Sequence, residues 1–262
     1  MNKVISKDGT PIAYEKSGSG PALILVDGAL CSRQFGPMPK LAPLLAKRFT
    51  VFTYDRRGRG DSGDTQPYAK ERELEDLDAL LQAAGGSAFV VGLSSGGGLA
   101  LEAAASGLNI PKLVAYEPPY VAAHDARHAK ANHEAQLQRL LAEGRRGDAV
   151  KYFMRDMVGA PGFVVFMMRL MPGTWKKLTA VAHTLAYDAN IMGDFSVPAE
   201  RLASVRVPSL ILYGGKTDAK LKKAAETVAD AVPGARRGTL DGQMHNVDPK
   251  VLTPAVVEYL TA

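Results

Sequence analysis

The stretch Val90-Val91-Gly92-Leu93-Ser94-Ser95-Gly96-Gly97-Gly98-Leu99 constrains this chain more than any other. A β-branched apolar run leads into it and an alanine-rich segment leads out. Four glycines surround a serine pair. Glycine costs backbone entropy and weakens strands and helices alike, so a backbone that uses it so densely must make an unusual turn. Gly92-Leu93-Ser94-Ser95-Gly96 has the form G-x-S-x-G between a predicted strand and a predicted helix, the setting in which this pattern is a nucleophile elbow. The turn is tight, and side chains two positions either side of the central serine would clash. Ser94 is that central serine. Ser95 offers a backbone N–H at the start of a helix, whose positive end favours developing negative charge. A phosphate loop fits poorly: it ends in Gly-Lys-Ser/Thr, whereas Gly98-Leu99-Ala100 follows here.

The surrounding rhythm agrees. Lys7-Asp8-Gly9 reads as the turn of an N-terminal hairpin. Ala22-Leu23-Ile24-Leu25-Val26 is a continuous apolar run, as in a strand covered on both faces. Residues 34–47 read as a helix, Thr50-Val51-Phe52-Thr53-Tyr54 as a strand, and 71–84 as a helix with leucines at helical spacing. Strands over 89–92 and 112–116 flank the helix that follows the elbow. From 118 to about 198 the reading is helical, with no convincing strand. Alternation returns with a strand over 209–213, a helix over 221–231, a strand over 236–240 and a last helix from about 252. Alternating strands and helices imply a mostly parallel central sheet flanked by helices. The expected organisation is a core of residues 1–118 and 199–262, with residues 119–198 as a helical cap over the strand ends, where ligands bind in such sheets.

Composition narrows the function classes. The 262 residues suit one large domain with an insertion. The net charge of +5 is spread along the chain, without the basic stripe and interleaved aromatics of a nucleic-acid binder. No run reaches the ~18 apolar residues of a membrane span, and the N-terminus lacks the apolar core of a signal peptide. Cys31 is the single cysteine, which fits a reducing cytoplasm. The expectation is a cytoplasmic protein with a small-molecule partner and no nucleic-acid or membrane partner.

Several segments, spread over nearly the whole chain, resemble an α/β-hydrolase of the capped esterase, lactonase and perhydrolase type. They are Val26-Asp27-Gly28-Ala29, Tyr54-Asp55-Arg56-Arg57-Gly58-Arg59-Gly60-Asp61-Ser62, the elbow, residues 208–218, and Gly242-Gln243-Met244-His245. The resemblance implies the α/β-hydrolase fold, no cofactor, and a serine–acid–histidine triad in that chain order. It puts the base at His245, in the loop after the last strand. The other histidines have blander readings. His124, His128 and His133 fit a solvated helix face better than a metal site, and His183 fits packing. The acid position falls on Asp218, after the strand 209–213, with Asp194 as the rival. Asp241 is too near His245 in sequence. Ala29 N–H becomes the second oxyanion donor beside Ser95 N–H. Asp27 stands where the family usually carries histidine. Because a bare carboxylate there would oppose an oxyanion, it is expected to turn toward Arg56 or Arg57.

The insertion is rich in methionine and aromatic residues, which suit an adaptable apolar site. Leu30, Met154, Met157 and Trp175 are the candidate substrate contacts. The most hydrophobic stretch, 163–168, is short and followed by Arg169, so no exposed apolar lid edge is expected, and short acyl chains or compact lactones are favoured over long lipids. The leading reading is a serine hydrolase of small esters or lactones. C–C bond hydrolysis or perhydrolysis on the same triad, and a noncatalytic receptor of the same fold, stay open because fold alone does not choose among them.

Overall fold

A computed structural model describes residues 1–128 and 131–262. Eight strands form one sheet: β1 (Asn2–Ile5), β2 (Pro11–Ser17), β3 (Ala22–Val26), β4 (Thr50–Tyr54), β5 (Phe89–Leu93), β6 (Leu113–Tyr116), β7 (Ser209–Gly214) and β8 (Arg236–Leu240). Their order is β1-β2-β4-β3-β5-β6-β7-β8. Pairing is antiparallel at β1–β2 and β2–β4 and parallel from β4 to β8. The fold is that of an α/β hydrolase, as the alternation of strand and helix implies.

The apolar run 22–26, read as a doubly covered strand, behaves that way, and β5 and β6 share the pattern. Successive side chains of a strand face opposite sides of a sheet. Ile24, Val26, Val90 and Ala115 join one buried cluster with helices α2 (Lys70–Ala83) and α3 (Ser95–Ala105). Leu23, Leu25, Val91 and Val114 join another with α1 (Met38–Leu45) on the opposite face. The helix expected over 34–47 is thus shorter. Gly36 takes φ 117°, Ser32 and Phe35 form a β-bridge, and Pro37 stands at the N-cap, so helical geometry begins only at Met38.

Between β6 and β7 lie α4 (His133–Ala142), α5 (Arg146–Tyr152), a π-turn (Phe153–Met157), α6 (Gly162–Arg169), α7 (Pro172–Ala180), a 3-10 turn (Ala182–Thr184) and α8 (Leu185–Met192). No strand occurs there among the described residues. The chain then returns through α9 (Ala199–Leu202), and α10 (Ala219–Ala231) and α11 (Pro249–Thr261) follow β7 and β8. Helix α8 packs on α3, the helix that starts at the elbow, so this stretch reaches the carboxyl ends of the parallel strands.

Candidate active site

Ser94 sits between β5 and α3 with φ 54° and ψ −126°, a region L-residues rarely occupy and that is sustained only when neighbours over-determine it. The glycines are the condition for it. A Cβ on Gly92 would strike the Gly96 carbonyl, and one on Gly96 would strike the carbonyls of Val26 and Asp27. Ser94 N–H donates to Tyr116 O at 2.9 Å, and Gly97 N–H donates to Ser94 O at 2.8 Å. The turn is pinned from both sides.

His245 comes from the loop after β8. That loop is set by backbone contacts: Lys216 N–H donates to Gln243 O at 2.8 Å, and the Tyr116 hydroxyl donates to Met244 O at 2.6 Å. His245 Nε2 lies 3.2 Å from Ser94 Oγ. Its Nδ1 lies 2.6 Å from Glu117 Oε2. The sequence expectation of Asp218 as the partner of this histidine is therefore corrected: the carboxylate at His245 is Glu117. Asp218 is the N-cap of α10, its carboxylate accepting from Lys220 N–H at 2.8 Å. Asp194 is exposed and accepts from Ser196 N–H at 2.8 Å. Neither makes a hydrogen bond to His245.

Glu117 is the residue that sequence reasoning missed. It stands one position beyond β6, the neighbour of the elbow strand, with φ 45° and no exposure to solvent. Its Oε1 accepts from Gly214 N–H at 2.8 Å, and its Oε2 accepts from the Thr217 hydroxyl at 3.1 Å. The available signal was a carboxylate directly after a fully apolar strand and before Pro118-Pro119, at the same carboxyl end of the parallel strands where the elbow opens.

On the other side of Ser94 lies the loop after β3. A Cβ on Gly28 would stand 3.1 Å from Ser94 Cβ and 3.2 Å from the Leu93 carbonyl, closer than side chains ordinarily pack. Ala29 and Ser95 both line the cavity beside Ser94. Ser95 opens α3, where the first N–H groups have no intrahelical partner. The expectation that Asp27 turns to an arginine is also corrected. Its Oδ1 accepts from Gly28 N–H at 2.9 Å, while Arg56 donates to the Asp27 backbone carbonyl at 3.2 Å. Asp27 Oδ2 is buried with no hydrogen-bond partner among the described residues. Burial pushes the Asp27 carboxyl up to about 7, against the pull of Gly28 N–H and the charges of Arg59 and Arg56. Burial, not an ion pair, therefore governs the Asp27 carboxyl.

The Asp55–Ser62 loop delivers the arginines. Arg56, Arg57 and Arg59 are all buried. Arg56 makes two hydrogen bonds to Glu73, at 2.6 and 2.8 Å, and Arg57 two to Asp76, at 2.9 and 2.7 Å. Asp188, on α8, is buried and receives Arg56 at 2.7 Å, Arg59 at 2.6 Å and the Ser95 hydroxyl at 2.7 Å. Burial opposes its ionisation, but the Arg59 and Arg56 charges prevail and hold its carboxyl below the ordinary range.

Ser94 and His245 open on a cavity of about 130 Å³ walled by Val121, Phe153, Met157, Met192, Phe195 and Leu221. Of the four expected contacts, Met157 lines it. Leu30, Met154 and Trp175 do not. Leu30 faces a separate surface hollow with Phe35 and Lys177. Trp175 packs beside Gly147 and under Arg169, 5.7 Å from its ring. Asp125, Arg127, Asp218 and Lys220 stand on the cavity's polar side, where Arg127 and Asp125 pair through their side chains. The solvated face expected for the insertion histidines does not hold for His128 and His133, while His124 is partly exposed. His128 and His133 are buried, 4.6 Å apart, against Phe195, and burial pushes His133 down to about 4. His183 pairs with Asp64 at 3.4 Å rather than packing among apolar groups.

A second correction concerns α6. Phe163, Phe166, Met167 and Leu170 are all exposed, Phe163 to 71% and Leu170 to 60%. The insertion does carry an exposed apolar edge, contrary to the sequence expectation. Among the described residues no helix is long and apolar enough to cross a membrane.

With this fold and geometry, residues 21–253 match the alpha/beta hydrolase family, and the chain belongs to it. It is similar to an alpha/beta hydrolase from Sphaerobacter thermophilus DSM 20745, with 51% identity over 99% of this chain and 100% of that one, and a TM-score of 0.91. A hydrolase from Pseudomonas aeruginosa PA01 is 26% identical over 100% of this chain and 98% of that one, with a TM-score of 0.71. The uncharacterized hydrolase YraK of Bacillus subtilis (strain 168) is 30% identical over 160 residues, 60% of this chain and 52% of the relative. The chain thus spans about half the length of that curated relative.

Proposed function

We propose that this hydrolase is a cofactor-independent serine hydrolase that cleaves small carboxylic esters or lactones through an acyl-enzyme on Ser94. The observation that carries the reading is the relay from Ser94 Oγ to His245 Nε2 at 3.2 Å and from His245 Nδ1 to Glu117 at 2.6 Å. It opens on a small, mainly apolar cavity. A serine hydroxyl is a weak nucleophile until a base stands within hydrogen-bond reach. His245 takes the Ser94 proton as Oγ attacks the ester carbonyl. Glu117, held by Gly214 and Thr217, keeps the imidazole in the tautomer with its proton on Nδ1 and stabilises the imidazolium. The oxyanion points to Ala29 N–H and Ser95 N–H. His245 returns the proton to the leaving oxygen, then activates water to release the acyl group.

The cavity's size supports short or medium acyl groups and compact lactones. The test is a kcat/KM profile over p-nitrophenyl esters of increasing length, with a γ- and a δ-lactone beside them. The expected profile peaks at short or medium chains. A kcat/KM still climbing past about twelve carbons, beyond a pocket that encloses a small ligand, overturns the small-substrate reading. No turnover of any member favours the noncatalytic receptor.

A further inference from the structure

We propose that Asp188, with Arg59, positions both oxyanion donors, so that the insertion between β6 and β7 completes the oxyanion hole as well as walling the cavity. The inference rests on the proposed serine mechanism. Arg59 Nη1 donates to Gly28 O at 2.6 Å, and Arg59 Nη2 donates to Asp188 at 2.6 Å. The Gly28 carbonyl and the Ala29 N–H belong to one planar peptide group. Holding the carbonyl therefore fixes where the N–H points. Donation to that carbonyl also polarises the peptide and strengthens its N–H as a donor. On the second arm, Ser95 Oγ donates to Asp188 Oδ1 at 2.7 Å, which ties the first residue of α3 to the same carboxylate. One buried carboxylate on α8 thus braces both candidate donors, from a segment far away in sequence. Asp188 itself lines the cavity, and the two arginines neutralise it, so the oxyanion does not meet an open negative charge.

The test uses Asp188→Asn and Ser95→Ala. Ser95→Ala keeps its backbone N–H and loses only the tie to Asp188. The readouts are kcat and KM on p-nitrophenyl acetate, thermal unfolding, and the inhibition constant of a trifluoromethyl ketone, which forms a hemiketal oxyanion on Ser94. The isosteric methyl ketone is the control for ground-state binding. The expected result is a fall in kcat of roughly tenfold to a hundredfold, short of the ~10²–10³ that follows outright loss of a donor. KM and methyl-ketone binding stay within about twofold, while trifluoromethyl-ketone affinity falls in step with kcat. A kcat loss with unchanged trifluoromethyl-ketone affinity, or no kcat loss in a folded variant, overturns the proposal. If Asp188→Asn fails to fold, Ser95→Ala decides alone. Failure of the wild-type enzyme to turn over ester or bind the ketone counts against the serine mechanism instead.

A different observation carries a second inference: we infer that the exposed edge of α6 docks on an anionic lipid surface. Phe163, Phe166, Met167 and Leu170 recur at i, i+3, i+4 and i+7, one face of a helix, and all point to solvent. Met171 extends the stripe. Contiguous exposed apolar patches mark interaction sites. Charge selects the occupant. Residues 151–176 carry Lys151, Arg155, Arg169 and Lys176 against the single carboxylate Asp156. A two-fold contact would set this patch against itself, opposing cation to cation. An anionic surface satisfies both the apolar stripe and its cationic flank. Val158, exposed on the same segment, lines the cavity, so docking would bring the mouth of the site to the lipid.

The test is co-sedimentation with vesicles of phosphatidylcholine alone and of phosphatidylcholine mixed with phosphatidylglycerol. Binding at least about tenfold tighter to the mixed vesicles is expected, weakened by salt. Phe163→Ser/Leu170→Ser should abolish it while leaving p-nitrophenyl acetate turnover in free solution unchanged. No binding to the anionic vesicles, equal binding by the double variant, or a lipid-free dimer that the double variant dissociates each overturns the proposal.

Discussion

Replacing Glu117 by glutamine turns one hydrogen-bond acceptor into a donor while keeping the side chain's size. In the native site the carboxylate accepts from Gly214 N–H, the Thr217 hydroxyl and His245. A glutamine can keep its oxygen on Gly214 N–H, and the Thr217 hydroxyl can rotate to accept. Its NH₂ then faces His245 Nδ1 and favours the tautomer with the proton on Nε2, aimed at Ser94. That imidazole cannot take the serine proton. The corresponding change of acid to amide in a serine triad costs about 10⁴ in kcat, or ~5.4 kcal/mol at 1.36 kcal/mol per decade. The folding cost is far smaller, about 1–3 kcal/mol for an imperfectly matched buried polar group. The assay is steady-state turnover of p-nitrophenyl acetate by Glu117→Gln and Asp218→Asn, with thermal unfolding of both. Asp218→Asn should stay within a few-fold of wild type, because its carboxylate caps α10 and makes no bond to His245. The reasoning is refuted if Asp218→Asn loses several decades while Glu117→Gln stays within tenfold.

Two further perturbations probe the frame around the site. Burial raises the Asp27 carboxyl from 3.8 to about 7. Between those values the native state holds a proton that the unfolded chain has released, so this group makes stability fall as pH rises through that window and level off above it. Asp27→Asn removes the dependence: its stability advantage over wild type in denaturant titrations should grow from pH 5 to pH 8, by at most roughly 2.7 kcal/mol, about two units at 1.36 kcal/mol per unit. An advantage equal at both pH values contradicts it. Gly96→Ala places a methyl against the carbonyls of Val26 and Asp27 and should cost more than about 3 kcal/mol or prevent folding, as severe backbone clashes do. Near-wild-type unfolding would show that the elbow has slack.

The fold was legible because its signals are local. Strand alternation and the glycine spacing around Ser94 depend on backbone geometry that one sequence encodes. His245, which the structure sets 3.2 Å from Ser94 Oγ, carries no such local signal and was pointed to by the family resemblance. The acid was not, because two carboxylates, Glu117 and Asp218, lie just beyond neighbouring strands. Which one reaches the imidazole depends on the φ of 45° at Glu117 and the donors from Gly214 and Thr217, which are tertiary facts. The Asp27 expectation failed because keeping a bare carboxylate from an oxyanion was equated with pairing it to Arg56 or Arg57, and those guanidiniums are committed elsewhere, Arg56 to Glu73 and Asp188 and Arg57 to Asp76 and Asp8. The exposed face of α6 was hidden in an apolar run: composition shows how hydrophobic a helix is, while its neighbours decide which side is covered. Leu30, Met154 and Trp175 were misplaced in the same way, drawn toward the pocket by residue type and set elsewhere by packing.

The central claim is that Ser94 Oγ is the nucleophile. Intact-mass and peptide-fragmentation analysis after reaction with a fluorophosphonate tests it directly. The account predicts one phosphonyl group per chain, on Ser94 and not Ser95, with labelling abolished in Ser94→Ala and retained in Ser95→Ala. Labelling of Ser94→Ala at the wild-type rate, or a label on any other residue, would contradict it.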